Sequence, residues 1–162
     1  VKLLGATIFK VEGYGEEKYN KENLLSFNSK TIQNKKEKFV ILKLNKKNNE
    51  FIINGSSYNG KAKTSNIVGN WWNHNLLNAD SQISPISGSI KEQAITFISK
   101  EQIELYGKSF DTEHYKLKST DMNLSDDKKL NFDIWLDKET GLILKVKYSR
   151  MGDWEYRLRN YE

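Results

Sequence analysis

Asp111, Glu113 and His114 lie within four positions, and such a grouping is where a metal ion or an acid–base pair would first be sought. Strand geometry separates them. Side chains alternate along a strand, so Asp111 and Glu113 share a face while His114 points the other way, and His74 is the only other imidazole. With 0 Cys in the chain, thiolate ligands and cysteine nucleophiles are excluded, and we expect no metal and no cofactor. Asp133 and Asp137 could be posed as a glycosidase pair, but four strand residues span roughly 13 Å, beyond the usual separation of about 5 to 9.5 Å. Asp133 is instead expected to pair with Lys145 across a sheet. Gly13-Tyr14-Gly15 lacks the helix and acidic partner of a nucleotide fingerprint and reads as a turn. No serine stands with a histidine and an acid, so the reading assigns no catalytic residue and leans away from an enzyme, with an envelope hydrolase as the last-ranked alternative.

The elements that would position these residues are strands. A period of two recurs in Leu25, Phe27, Ser29 and Thr31, and again where Val40, Leu42 and Leu44 alternate with Phe39 and Ile41. Asn54-Gly55, Asn59-Gly60, Tyr106-Gly107-Lys108 and Met151-Gly152-Asp153 supply residues that tight turns accept. Ser89 to Ile98 is rich in Ile, Thr and Phe and also reads as strand. One stretch breaks the pattern, from Ile67 to Pro85, where Asn70 would cap a short helix that brings Trp72 and Leu76 together with both indoles buried. The expected fold is all-β: a single highly curved antiparallel sheet, a half-barrel or flattened barrel of consecutive hairpins, with a short helical or irregular plug near residues 67–80. No linker is visible, so residues 1–162 are taken as one domain.

The C-terminal residues 131–162 specify two faces. If Asp137 to Gly141 form a hairpin loop, Leu136 faces Leu142, Ile134 faces Leu144 and Phe132 faces Val146, and a second turn at Ser149 to Asp153 extends the rows to Trp154, Tyr156 and Leu158. The opposite face then carries Asp133, Lys145, Lys147, Arg157 and Arg159, with Trp135 and Ile143 as apolar exceptions under Arg159 or under the N-terminal segment. A slip of one residue would place Lys145 and Lys147 among the apolar groups, which fixes the parity. Something must cover the apolar face: a second sheet, the sheet's own curvature, a helix or a bound apolar molecule.

Totals bound the partners. With 4 Trp, 8 Tyr and 7 Phe in 162 residues the chain has the bulk to fold, and no apolar run reaches the roughly 20 residues of a spanning helix. The net charge of +5 comes from lysines interspersed with acids, which favours solubility over nucleic-acid binding.

Trp72-Asn73, the Gly88 after an Ile-Ser-Pro-Ile-Ser run, Asp133-x-Trp135-x-Asp137 and Gly152-x-Trp154-x-Tyr156-x-Leu158 together resemble an uncharacterised family of exported bacterial β-proteins. The resemblance covers roughly residues 8 to 162, and it departs from the family pattern at Leu136, where a tyrosine is usual, and in the order Gly152-Asp153. It implies an exported, periplasmic, single-domain protein without an assigned activity, with further strands ahead of Val1. At fold level the chain is similar to the half-barrels of periplasmic lipoprotein carriers, which hold acyl chains on a concave face. Two functions follow as expectations. In one, a non-enzymatic module binds a lipid or other apolar ligand with Trp71, Trp72, Phe132, Ile134, Leu144, Val146, Tyr156 and Leu158. In the other, the same face is a filled core, and Lys145, Lys147, Arg157 and Arg159 form a basic outer face for an acidic partner. The oligomeric state is left open.

Overall fold

A computed structural model describes residues 2, 3, 6, 7, 11–21, 23–126, 128–149 and 153–159. Strands make up most of the described residues and the helical part is a single five-residue 3₁₀ turn, so the all-β class holds. The strands are β1 (Lys2–Leu3), β2 (Ala6–Thr7), β3 (Val11–Asn20), β4 (Asn23–Gln33), β5 (Lys36–Asn45), β6 (Glu50–Gly55), β7 (Asn59–Lys63), β8 (Ile67–Val68), β9 (Ser81–Ile83), β10 (Ile90–Leu105), β11 (Lys108–Ser119), β12 (Asn131–Asp137), β13 (Ile143–Ser149) and β14 (Asp153–Arg157). A five-stranded antiparallel sheet runs β3-β4-β5-β6-β7, a curled seven-stranded one runs β14-β13-β12-β11-β10-β9-β8, and β1 pairs with β2. The chain forms two compact units: residues 1–68 with 83–90, and residues 69–82 with 91–162.

In the first unit alternation decides everything. Phe27, Val40, Leu42, Phe51, Ile53 and Ala62 point to one face and form a buried cluster with Val68 and Ile83. Their neighbours Phe39, Ile41 and Ile52 point outward. The two Asn-Gly pairs do not make two turns. Asn54 pairs with Asn59, and a single hairpin closes between them through a hydrogen bond from Gly55 N to Tyr58 O of 2.9 Å. Gly55 is required by proximity, since a Cβ there would lie 2.6 Å from Ser87 O. Gly13 to Gly15 is likewise no turn but the interior of β3, whose glycines lie over Thr31 and Phe27 of β4.

In the second unit β10 to β14 build two cross-strand apolar rows. One is Phe97, Tyr115, Ile134, Val146 and Tyr156; the other is Ile95, Leu117, Phe132, Tyr148 and Trp154. The β13–β14 register is as expected, with Lys145 opposite Arg157, although residues 150–152 of the expected turn lie outside the described residues. The β12–β13 register differs by two residues: Ile134 faces Val146 and Phe132 faces Tyr148. Its hairpin closes on Asp137, whose N–H donates to Leu142 O at 2.8 Å, rather than on Leu136, and Gly141 takes the left-handed backbone at φ 70°. An even shift leaves faces unchanged, but Leu144 is the extra residue of a β-bulge. The bulge exchanges faces beyond it, so Ile143 lies opposite Leu136 while Leu144 and Leu158 pack with Trp135, Ile103 and Leu105.

Candidate functional site

The segment that follows β8 in the same unit meets the apolar rows at Phe132. Trp71 meets Phe132 edge-on with ring centroids 4.9 Å apart, and Phe132 stacks on Tyr148 at 4.6 Å. Farther along, the His74 ring lies where a Cβ on Gly141 would touch it. Leu76, Leu117, Ile134 and Val146 are fully buried. The plug contains a short 3₁₀ helix, His74–Asn78, capped by Asn73 rather than Asn70; the Asn70 side chain instead accepts from Asn73 N at 3.1 Å. Its far end is held by a buried amide pair. Gln82 donates to Gln93 Oε1 at 2.6 Å, and Gln93 Nε2 donates to the carbonyls of Leu76 and Ala79 at 2.9 and 2.8 Å. These glutamines satisfy helix-end carbonyls that would otherwise be buried without partners.

Of the residues expected to line a ligand site, Trp71, Phe132, Ile134, Val146 and Tyr156 share this face. Leu144 and Leu158 lie in the Trp135 cluster because of the bulge. Trp72 is 69% exposed, against the expectation of a buried indole: with Trp71 turned to Phe132, its neighbour points away. Phe97 and Tyr156, at the two ends of one row, are half exposed at 50% and 52%. Shallow cavities of 390 and 360 Å³ lie elsewhere, one beside Ile41 and Ile52, the other between Lys100, Glu113 and Lys138.

The opposite face is an ionic ladder. Lys116, Asp133, Lys147 and Glu155 stand in one cross-strand row, alternating in sign. Lys116 Nζ lies 2.6 Å from Asp133, so Lys116 and not Lys145 is the partner of that carboxylate. Burial pushes the Asp133 carboxyl up, but hydrogen bonds from Lys116 and His114 outweigh it and hold the group below the usual carboxylate range. In the next row His114 stacks on Trp135 at 4.4 Å, and Lys145 Nζ sits 3.8 Å from the Trp135 ring centre. Burial, then the charge of Lys147, pulls the Lys145 ammonium below its ordinary value. Trp135 is buried by Ile103, Leu105 and Leu144, and its indole N–H donates to Glu101.

His114 does not act with Asp111 and Glu113. Its Nε2 lies 2.9 Å from Asp133 and its Nδ1 3.3 Å from Glu101. Both ring nitrogens therefore face carboxylates, and the histidine bridges β10, β11 and β12. Among the described residues no group of three or more His, Asp or Glu is placed to hold a metal ion. Glu101, Lys116 and Gln93 are the residues that sequence reasoning missed. Gln93 had a visible signal, an amide in line with Ile95 on the inward parity of a strand; Glu101 had none, because a bulge at Ile98 resets the alternation before it.

Together these features define an antiparallel β-protein with a plugged apolar sheet face and a self-paired ionic one. The chain belongs to the family described as a domain of unknown function, DUF6134, whose model matches residues 1–159. No curated protein and no solved structure matches it. Among the described residues no helix is long and apolar enough to cross a membrane.

Proposed function

We propose that the protein is a non-enzymatic module with a filled β core that meets its partners through outward faces. One observation supports this reading above the others: Leu117, Ile134 and Val146 are fully buried in the unit whose own Trp71-to-Leu76 segment lies against that face. On the outside, Lys145, Lys147 and Arg157 stand against Asp153 and Glu155 on the last two strands, with Arg159 just beyond them, a small basic excess that suits an acidic partner. Organic extraction of purified protein followed by mass spectrometry tests the filled core. We expect no apolar molecule in stoichiometric amount; recovery of one would reject the proposal.

That outcome would favour a second reading, in which a lipid or other apolar ligand binds the same face. Its support is the half exposure of Phe97 and Tyr156, where the apolar row continues to the sheet's flanks. Export to the periplasm is part of the proposal and rests on the family resemblance; fractionation of the producing cells against compartment markers checks it.

A further inference from the structure

The charge of this chain is unevenly placed. Residues 1–68 hold 13 lysines against 6 glutamates, whereas residues 69–162 hold 13 basic and 15 acidic residues. The whole positive excess therefore resides in the first unit, and there it coincides with an exposed apolar surface. On the outer side of the five-stranded sheet, Tyr14, Lys30 and Phe39 form one cross-strand row, Asn28, Ile41 and Asn54 the next, and Lys43, Ile52 and Lys61 the third. Phe39, Ile41 and Ile52 are 37%, 41% and 40% exposed, too much for satellites of the core. Ile41, Leu44 and Ile52 also line the shallow 390 Å³ depression with Lys43, Asn45 and Asn54.

The lysines on this face divide into two sets. Lys18, Lys30 and Lys61 are paired with Glu16, Glu37 and Glu50. Among the described residues Lys43, Lys46, Lys47 and Lys63, at the end of the sheet formed by the β5–β6 turn and the end of β7, form no ion pair, and neither do Lys35, Lys36 and Lys38 at the β4–β5 turn. An apolar patch bordered on one side by four uncompensated ammonium groups matches a surface that is greasy beneath and anionic above.

We infer that this face of the five-stranded sheet docks on an anionic lipid bilayer, with Ile41 and Ile52 entering the interface and Lys43, Lys46, Lys47 and Lys63 against the headgroups. The occupant is a bilayer rather than a single lipid molecule because the depression is open and flanked by further exposed apolar groups, Phe39 and Tyr14, that no single acyl chain would cover. A second copy of this chain fits less well, since it would bring the same four lysines to the same end of an interface.

Cosedimentation of the full chain with phosphatidylcholine vesicles, with and without about one third phosphatidylglycerol, tests the inference. Binding is expected only to the anionic vesicles, weakening by roughly fivefold for each lysine removed near the surface and falling steeply as salt shortens the screening length. Lys43→Glu with Lys47→Glu should abolish it. Ile41→Ser with Ile52→Ser should weaken it at low salt while circular dichroism still reports the folded sheet, because both side chains lie on its outer side. No binding to anionic vesicles, equal binding to both vesicle types, or undiminished binding by either double variant would overturn the proposal. So would a dimer in sedimentation velocity that Ile41→Ser with Ile52→Ser dissolves while vesicle binding persists.

Discussion

Replacing Asp133 by asparagine leaves Lys116 and His114 facing a neutral amide, and the consequence depends on pH in a defined direction. The native carboxyl titrates below its unfolded value of about 3.9, so its contribution is complete above that value and disappears as pH falls through the lower, folded one. Asp133→Asn should cost about 1 to 2 kcal/mol near neutrality, the range for a charged hydrogen bond in a partly exposed pair. Urea midpoints should converge for variant and parent as the solution is acidified. Gln93 presents a purer case of polar satisfaction. Gln93→Leu keeps the bulk but strands the Leu76 and Ala79 carbonyls and the Gln82 amide, which predicts a loss of about 2 to 3 kcal/mol in denaturant titration. At Gly141 the backbone alone decides, because a Cβ there would find ordinary contacts with His74. Gly141→Ala should cost about 1 to 2 kcal/mol for the left-handed φ of 70°.

Among the elements, the plug and the β12–β13 hairpin set the outcome. Trp71 packs edge-on against Phe132, while its neighbour Trp72 is 69% exposed. Trp71→Ala should therefore destabilise by about 2 kcal/mol and raise binding of an apolar fluorescent dye, whereas Trp72→Ala should cost clearly less. Equal effects in thermal melts would contradict this account of the plug. The same hairpin shows what a sequence can and cannot announce. Alternation made β12, β13 and β14 legible and put Phe132, Ile134, Val146 and Tyr156 on one face, because parity survives any even error in register. The bulge at Leu144 was not legible. Apolar residues stand on both sides of it, at Ile143 and Leu144, so no polar residue signals the change of face. For the same reason Leu144 and Leu158 were expected in the wrong cluster. The His114 bridge was hidden differently: its partners Glu101 and Asp133 come from strands 13 and 19 positions away, a proximity created by pairing alone.

For the molecule as a whole, the order in which the chain visits its two units matters more than any single contact. The first unit takes residues 1–68, yields the chain to the second for 69–82, recovers it for 83–90 and then releases it. Ile83, fully buried in the first cluster, and Ser87, hydrogen-bonded to Ser57 N at 2.9 Å, belong to that returning piece. During synthesis, then, the five-stranded sheet can be laid down early, but its interior stays unsealed until the ribosome has delivered residue 90. Nascent chains halted once residue 68 has left the exit tunnel should remain protease-sensitive in the five-stranded sheet, and those halted once residue 90 has emerged should resist. Evolution inherits the same restriction: with each unit's polypeptide interrupted by the other's, neither can be shuffled into a new gene by a single pair of cuts.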